Sequence, residues 1–166
     1  MTTFWGESLV TLDAQGRFAV PKDARALLGD EFVVFEPVIA AHTDCPEKPH
    51  LVVMSAAKFF QYSKRLKKRV DGQRRNDIIR TLAKHTFSAK ADSAGRVTLP
   101  QSMRSYAGLA GKLTVLGTGT YLELWAVEQL TEAEDLVVKA QEAGLLDMPD
   151  VPYDDDEDDE AQSDES

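Results

Sequence analysis

The strongest constraint on this chain is that it spells one phrase twice. Residues 12–29 read LDAQGRFAVPKDARALLG, and residues 91–108 read ADSAGRVTLPQSMRSYAG. A shift of 79 residues pairs Asp13 with Asp92, Gly16 with Gly95 and Arg17 with Arg96. It also pairs Pro21 with Pro100, Arg25 with Arg104 and Gly29 with Gly108, six identities in 17 positions. Stacked repeat architectures need roughly three or more units to bury a core, so two copies predict a pseudo-twofold pair instead. At 166 residues the chain has the length for one compact domain or two small interlocked ones.

Each copy reads as the same local device. Asp-x-x-Gly fits a type I turn with Asp first and Gly fourth, the carboxylate taking hydrogen bonds from the turn's own amides. Before the first turn, residues 9–12 (LVTL) read as a short strand; after it, residues 17–20 (RFAV) alternate as a second. Pro21 ends that strand and suits the first helical position. Ala24, Leu27 and Leu28 make an apolar helical face, and Gly29 is a natural stop. The second copy repeats this with strand residues 96–99, Pro100, the face Met103, Tyr106 and Ala107, and Gly108.

A further strand pair follows each unit, EFVVFEP with HLVVMS and KLTVLG with YLELWA. The first pair is joined by a long loop, the second by a compact one. Residues 55–70, with Phe59, Tyr62, Leu66 and Val70, and residues 71–86, with Ile78, Ile79 and Leu82, have helical spacing, as does the segment after residue 126. About four strands per half with peripheral helices is the expectation, a mainly β fold.

The overall charge of −9 conceals two opposed regions. Residues 154–166 hold nine of the 28 acids and no base, leaving 19 acids against 19 bases elsewhere. Such a block repels itself and buries no apolar area, which predicts a tail without fixed structure. Between residues 58 and 84, ten Lys or Arg face only Asp71 and Asp77. The default for that run is the solvated face of two helices, with phosphate contact as the alternative. A low pI therefore does not exclude an anionic partner. With no leader-like segment, no membrane-length apolar run and the single Cys45, the chain is expected to be intracellular, without disulfides and without a membrane partner.

No enzyme constellation emerges. His42, Cys45 and His50 share one loop but match no zinc spacing, and neither a phosphate-cradling Gly-rich loop nor a nucleophile elbow is present. No metal or cofactor is expected. Asp13 and Asp92 occupy turn-forming slots rather than acid–base positions. Arg17 and Arg96 carry more information, since each follows a turn Gly where a long side chain is exposed and aimable. One reading is an ion pair with the Asp of the same turn, worth little at a surface. The other is a guanidinium fork offered to phosphates or guanine edges. Duplication favours the second, because symmetric copies can meet equivalent elements of a duplex. Arg25 and Arg104, on helices, are expected to tie helix to hairpin.

Phe4-Trp5-Gly6, the two Asp-x-x-Gly-Arg…Pro…Arg units, Arg74-Arg75…Arg80 between them and YLELWAVEQ after the second together resemble the MraZ family of bacterial transcriptional regulators, in the SpoVT/AbrB-like superfamily. The resemblance spans roughly residues 4–146. It implies two swapped-hairpin units forming one pseudo-dimeric β-barrel. It implies DNA binding through Arg17 and Arg96, with Gln15 and Lys90 beside them, while Asp13, Gly16, Pro21, Arg25, Asp92, Gly95, Pro100 and Arg104 build the motif. It further implies a ring-shaped homo-oligomer on promoter repeats of the division and cell wall gene cluster, and a cytoplasmic, nucleoid-associated protein. Where the family's first motif often has Lys, this chain has Gln15, and Ala94 fills the second slot.

On this reading the first unit occupies residues 7–57, connecting basic helices 58–85, and the second unit 86–129. A C-terminal helix takes 130–148 and the acidic tail 149–166. The rival readings are an AbrB-like antitoxin, which usually carries one hairpin unit and a toxin-binding tail, and a protein–protein scaffold. A double-psi-barrel enzyme would need a convergent catalytic set that the sequence lacks.

Overall fold

The structure is a computed structural model that describes residues 2–37 and 48–144. The chain divides into two compact units, Met1–Ala133 and Glu134–Ser166. Among the described residues, eight strands and four helices lie in the first unit, in which α5 (Val127–Glu142) also begins.

Each half contributes the same series. The first runs β1 (Phe4–Thr11), β2 (Arg17–Ala19), α1 (Lys22–Leu28), β3 (Phe32–Phe35) and β4 (Leu51–Ser55). After α2 (Ala56–Lys68) and α3 (Gln73–Lys84) the second runs β5 (Thr86–Ala89), β6 (Arg96–Thr98), α4 (Gln101–Ala107), β7 (Lys112–Gly119) and β8 (Leu122–Ala126). Six strands form one antiparallel sheet in the order β1-β7-β8-β4-β3-β5, and β2 pairs with β6 in a ribbon. Exchanging each strand for its repeat counterpart reverses this order onto itself. The pseudo-twofold relation is thus written into the ladder, between β8 and β4 and through the Phe18–Val97 pair of the ribbon.

The halves are swapped. β1 pairs with β7 of the second half, and β5 with β3 of the first. Neither half could complete its strands alone. The fold is therefore mainly β with peripheral α, built from two interlocked hairpin units.

Alternation along the central strands separates two cores. Phe32, Val34, Leu51 and Val53 join Phe18, Val20, Val97, Leu99, Leu113 and Leu124 on the inner face, so the ribbon covers that side by packing. Val33, Phe35, Val52 and Met54 point the other way, onto Phe59, Tyr62 and Leu66 of α2 and Leu82 of α3. The rings of Phe59 and Tyr62 lie 5.3 and 5.4 Å from that of Phe35. Because β3 and β4 are apolar on both faces, they read as continuous hydrophobic runs rather than alternating ones.

Local chemistry sets the element ends. Pro21 and Pro100 stand one residue ahead of the helical dihedrals, with ψ of 141° and 146°, rather than at the first helical position. A proline there still costs the helix no hydrogen bond. Ser55 caps α2 by accepting from the Lys58 amide at 3.2 Å. The first strand is longer than the expected 9–12: it starts at Phe4 and matches the eight residues of β7 pair for pair. Its outward residues Trp5, Glu7 and Leu9 are exposed, so no buried–exposed contrast marks the strand's beginning in the sequence.

Candidate nucleic-acid interface

Both turns close in the same way. The Gly16 amide donates to the Asp13 carbonyl at 3.0 Å, and the Gly95 amide to the Asp92 carbonyl at 2.9 Å. Both glycines have positive φ, 81° and 75°, which their lack of a Cβ makes inexpensive. Asp13 Oδ1 accepts from the Gln15 and Arg17 amides, each at 2.9 Å, and its Oδ2 accepts from Arg17 Nε at 2.8 Å. Asp92 repeats this with the Ala94 and Arg96 amides and with Arg96 Nε at 3.0 Å. The amide of Arg17 or Arg96 is the main reason each carboxyl sits below the ordinary aspartate range; the guanidinium adds to it. A carboxylate so occupied is a poor proton acceptor at neutral pH, so these groups serve geometry rather than acid–base chemistry.

The tether uses one guanidinium nitrogen and leaves two. Among the described residues, the guanidinium groups of Arg17 and Arg96 each hydrogen-bond through Nε and through neither Nη. The two side chains are 35% and 45% exposed. In the ribbon Arg17 faces Thr98 and Arg96 faces Ala19, while the central Phe18 and Val97 are buried. Arg17 and Arg96 therefore stand on the ribbon's single exposed face. They are diagonal neighbours, a placement that puts side chains roughly 7–8 Å apart.

A second pair of arginines locks the turns in place across the halves. Arg25 Nε donates to the Val20 carbonyl at 2.9 Å and its Nη2 reaches the Ala94 carbonyl at 3.4 Å, inside the opposite half's turn. Arg104 Nε donates to the Leu99 carbonyl at 3.1 Å. A Cβ placed on Gly95 would lie 2.1 Å from Arg25 Cζ, and one on Gly16 would lie 2.6 Å from Arg104 Nε. Each turn Gly is thus a seat for the helix arginine of the other half. Reciprocal backbone bonds, Val20 amide to Gly95 carbonyl and Leu99 amide to Gly16 carbonyl, reinforce the crossing at 2.9 and 2.8 Å.

The remaining sequence-singled residues sit nearby. The Gln15 side chain is exposed at the first turn, with no hydrogen-bond partner among the described residues. Lys90 is exposed and shares a cleft of about 240 Å³ with Arg25, Asp92 and Ser93 beside the second turn. His42 and Cys45 lie outside the described residues. His50 is 2% exposed, stacks on Trp125 at 4.2 Å and holds the Lys48 carbonyl at 2.8 Å, which makes it a core residue on the outer face. Sequence reasoning missed that stack, and also the 2.5 Å pair between His85 and the buried Glu36, whose signal was an acid closing a fully apolar strand. It also missed that each helix arginine serves the opposite turn.

This fold and site define a mainly β protein in which Asp13 and Asp92 are committed to holding turns and Arg17 and Arg96 stand exposed beside them. A family model described as MraZ protein matches residues 82–148. The transcriptional regulator MraZ of Legionella pneumophila is 31% identical over 145 residues, covering 87% of this chain and 92% of that protein. The namesake from Carboxydothermus hydrogenoformans is 29% identical over 125 residues, 75% of this chain and 82% of its own. That from a Marinomonas species is 31% identical over 127 residues, 76% and 82%. The chain belongs to the MraZ family, a family of transcriptional regulators and not of enzymes.

Proposed function

We propose that the chain regulates transcription by binding duplex DNA sequence-specifically through the β2–β6 ribbon. In this reading Arg17 and Arg96 contact bases or phosphates, and Gln15 and Lys90 flank them. The observation that carries it is the pair of turn-tethered arginines on one exposed ribbon face. A major groove admits a two-stranded ribbon, and guanine offers two acceptors matched to an Arg fork. Because Asp13 and Asp92 already fix one nitrogen of each guanidinium, less side-chain freedom is lost on binding. The clamp of Arg25 and Arg104 keeps the turns in register without occupying the exposed face.

The operator would be promoter repeats before genes of division and cell wall synthesis, bound by a ring of identical chains. Self-association is supported by β1, an edge strand with Trp5 at 72% and Leu9 at 59% exposure, an arrangement that invites pairing with another chain. Light scattering should report a mass well above 18.3 kDa, and a clean monomer at micromolar concentration would overturn the ring.

Titrating the parent chain and single variants against promoter and scrambled duplexes tests the interface. A bidentate contact to guanine is worth roughly 1–3 kcal/mol, so Arg17→Ala or Arg96→Ala should weaken promoter binding about tenfold or more. Promoter binding unchanged by both substitutions would remove the ribbon from consideration.

A further inference from the structure

The ribbon leaves the chain's most concentrated positive surface unused. Between the last turn of α2 and the first of α3 come Lys67, Lys68, Arg69, Arg74 and Arg75, all exposed, with Asp71 as the only acid among them. The ammonium groups of Lys67 and Lys68 and the Arg74 guanidinium meet no carboxylate among the described residues. Further along α3, Asp77 engages Arg80 at 3.0 Å, offsetting one cation. A surface kept merely in solution intersperses both signs; this one does not.

Helix electrostatics sharpen the point. Cations in the last turn of α2 suit its partial negative end, but α3 opens with Arg74 and Arg75, no acid in its first turn, and no side-chain cap on Gly72. Positive charge at a helix start opposes the macrodipole. Five cations gathered at an elbow also repel one another. Both costs are relieved by an anionic partner with repeated charges.

Position sets the elbow apart from the ribbon. Phe18 and Val97 pack on the inner face of the six-stranded sheet, whereas Phe59, Tyr62, Leu66 and Leu82 pack on its outer face. Sheet and packing layers separate the two surfaces by something on the order of 20 Å. The helices that carry the elbow thus pack on the side of the sheet opposite the ribbon.

We infer that the α2–α3 elbow is a second, sequence-indifferent surface for the phosphate backbone of duplex DNA. It rests on duplex DNA being the partner proposed above, but not on the ribbon residues. It engages either a second duplex or a further, curved portion of the same one. Its cations supply charge without base contacts, so they add affinity and salt sensitivity and no selectivity.

The test uses four full-length proteins: the parent, Arg17→Ala/Arg96→Ala, Lys67→Gln/Lys68→Gln/Arg74→Gln, and all five changes together. Gln preserves helix propensity, and α2 has no fully buried residue, so circular dichroism and melting should match the parent. Affinity is measured for promoter and scrambled duplexes across a salt series. The elbow variant should weaken both duplexes by the same factor and lower the salt slope by about 0.9 for each lost phosphate contact. The ribbon variant should keep a residual, steeply salt-dependent binding that the combined variant loses. An elbow variant with the parent's salt slope, or a loss confined to promoter DNA, overturns the inference. If the ribbon variant binds promoter DNA like the parent while the elbow variant does not, the ribbon reading fails and this one stands.

Discussion

The two turn units of this chain agree where they touch each other and differ where they meet solvent. Turn closure, carboxylate acceptors and the crossing backbone bonds are matched bond for bond, within about 0.2 Å, and both helix arginines seat on the opposite turn, although only Arg25 also bonds a carbonyl there. Their flanks diverge. β1 has eight residues and an exposed Trp5, while its counterpart β5 has four; Gln15 occupies the slot that Ala94 fills in the second turn. Residues 36–50 join β3 to β4, but only Thr120 and Tyr121 separate β7 from β8. Of the six repeated identities, Gly16/Gly95 and Arg25/Arg104 mark the swap, since each helix arginine seats on the other half's turn, while Asp13/Asp92 and Arg17/Arg96 repeat one tether within each turn.

The largest effects should come from the glycine seats. Gly95→Ala forces a side chain into a positive-φ position and against Arg25, and Gly16→Ala does the same against Arg104. Strain at a positive φ costs about 1–3 kcal/mol at either turn, and each substitution also displaces the arginine seated there. The pairing sharpens the comparison. Gly95→Ala combined with Arg25→Ala should cost clearly less than the sum of the single changes, whereas Gly95→Ala with Arg104→Ala should add. Denaturant melts of the double-mutant cycle decide it. Coupling of Gly95 to Arg104 instead of Arg25 would contradict the swapped arrangement.

That cycle also marks the limit of what the sequence discloses. Asp-x-x-Gly, the following proline and the closing glycine act within a few residues, so turn, strand and helix were legible from local chemistry. The partner of each strand was not, because β2 carries the same short alternation whether it pairs with its own half or with β6. Arg25 was expected to tie helix to hairpin, but nothing in its spacing says that the hairpin belongs to the other copy. β1 ran back to Phe4 unseen, since Trp5, Glu7 and Leu9 all face solvent. For the candidate site, Arg17 and Arg96 stood out from duplication alone. Their diagonal placement on one face required the ribbon register, which is a long-range property.

Next in size are the clamp arginines. Arg25→Ala loses bonds to the Val20 and Ala94 carbonyls, and Arg104→Ala loses the bond to Leu99. Each should cost roughly 1 kcal/mol and a few degrees of Tm, leaving intrinsic DNA affinity near the parent's below the melt. The opposite ranking is expected for Arg17→Ala and Arg96→Ala, which lose affinity first. Affinity lost by Arg25→Ala at full foldedness would move Arg25 into the binding surface.

A smaller effect is expected from acid. Both turn carboxyls titrate below the 3.8 of an ordinary aspartate, so their contribution is fully present above that value and is lost as pH falls through the lower, folded one. Below about pH 4 the parent's Tm should therefore drop more steeply than that of Asp13→Asn/Asp92→Asn, which has no charge to lose there. Parallel melting curves over that range would mean that the turn carboxylates are not linked to folding.

The smallest change tests one of the two polar differences between the turns, Gln15 against Ala94, the other being Ala14 against Ser93. Gln15 donates its backbone amide to Asp13 at 2.9 Å, but its exposed side chain takes no bond among the described residues. Gln15→Ala gives the first turn the residue that the second already has at Ala94, and it should leave Tm unchanged. If the side chain adds one ordinary hydrogen bond to DNA, about 0.5–1.5 kcal/mol is at stake, a loss of roughly two- to twelvefold. The lower part of that range is expected, since an exposed, uncharged group competes with water for its partner. Ala94→Gln should recover a similar factor in the Gln15→Ala background if the two turns meet equivalent elements of the duplex. Recovery would extend the symmetry of the ribbon to its DNA contacts. A loss at Gln15 that Ala94→Gln does not restore would mean that the two turns face different chemistry, and that the pseudo-twofold ends at the protein surface.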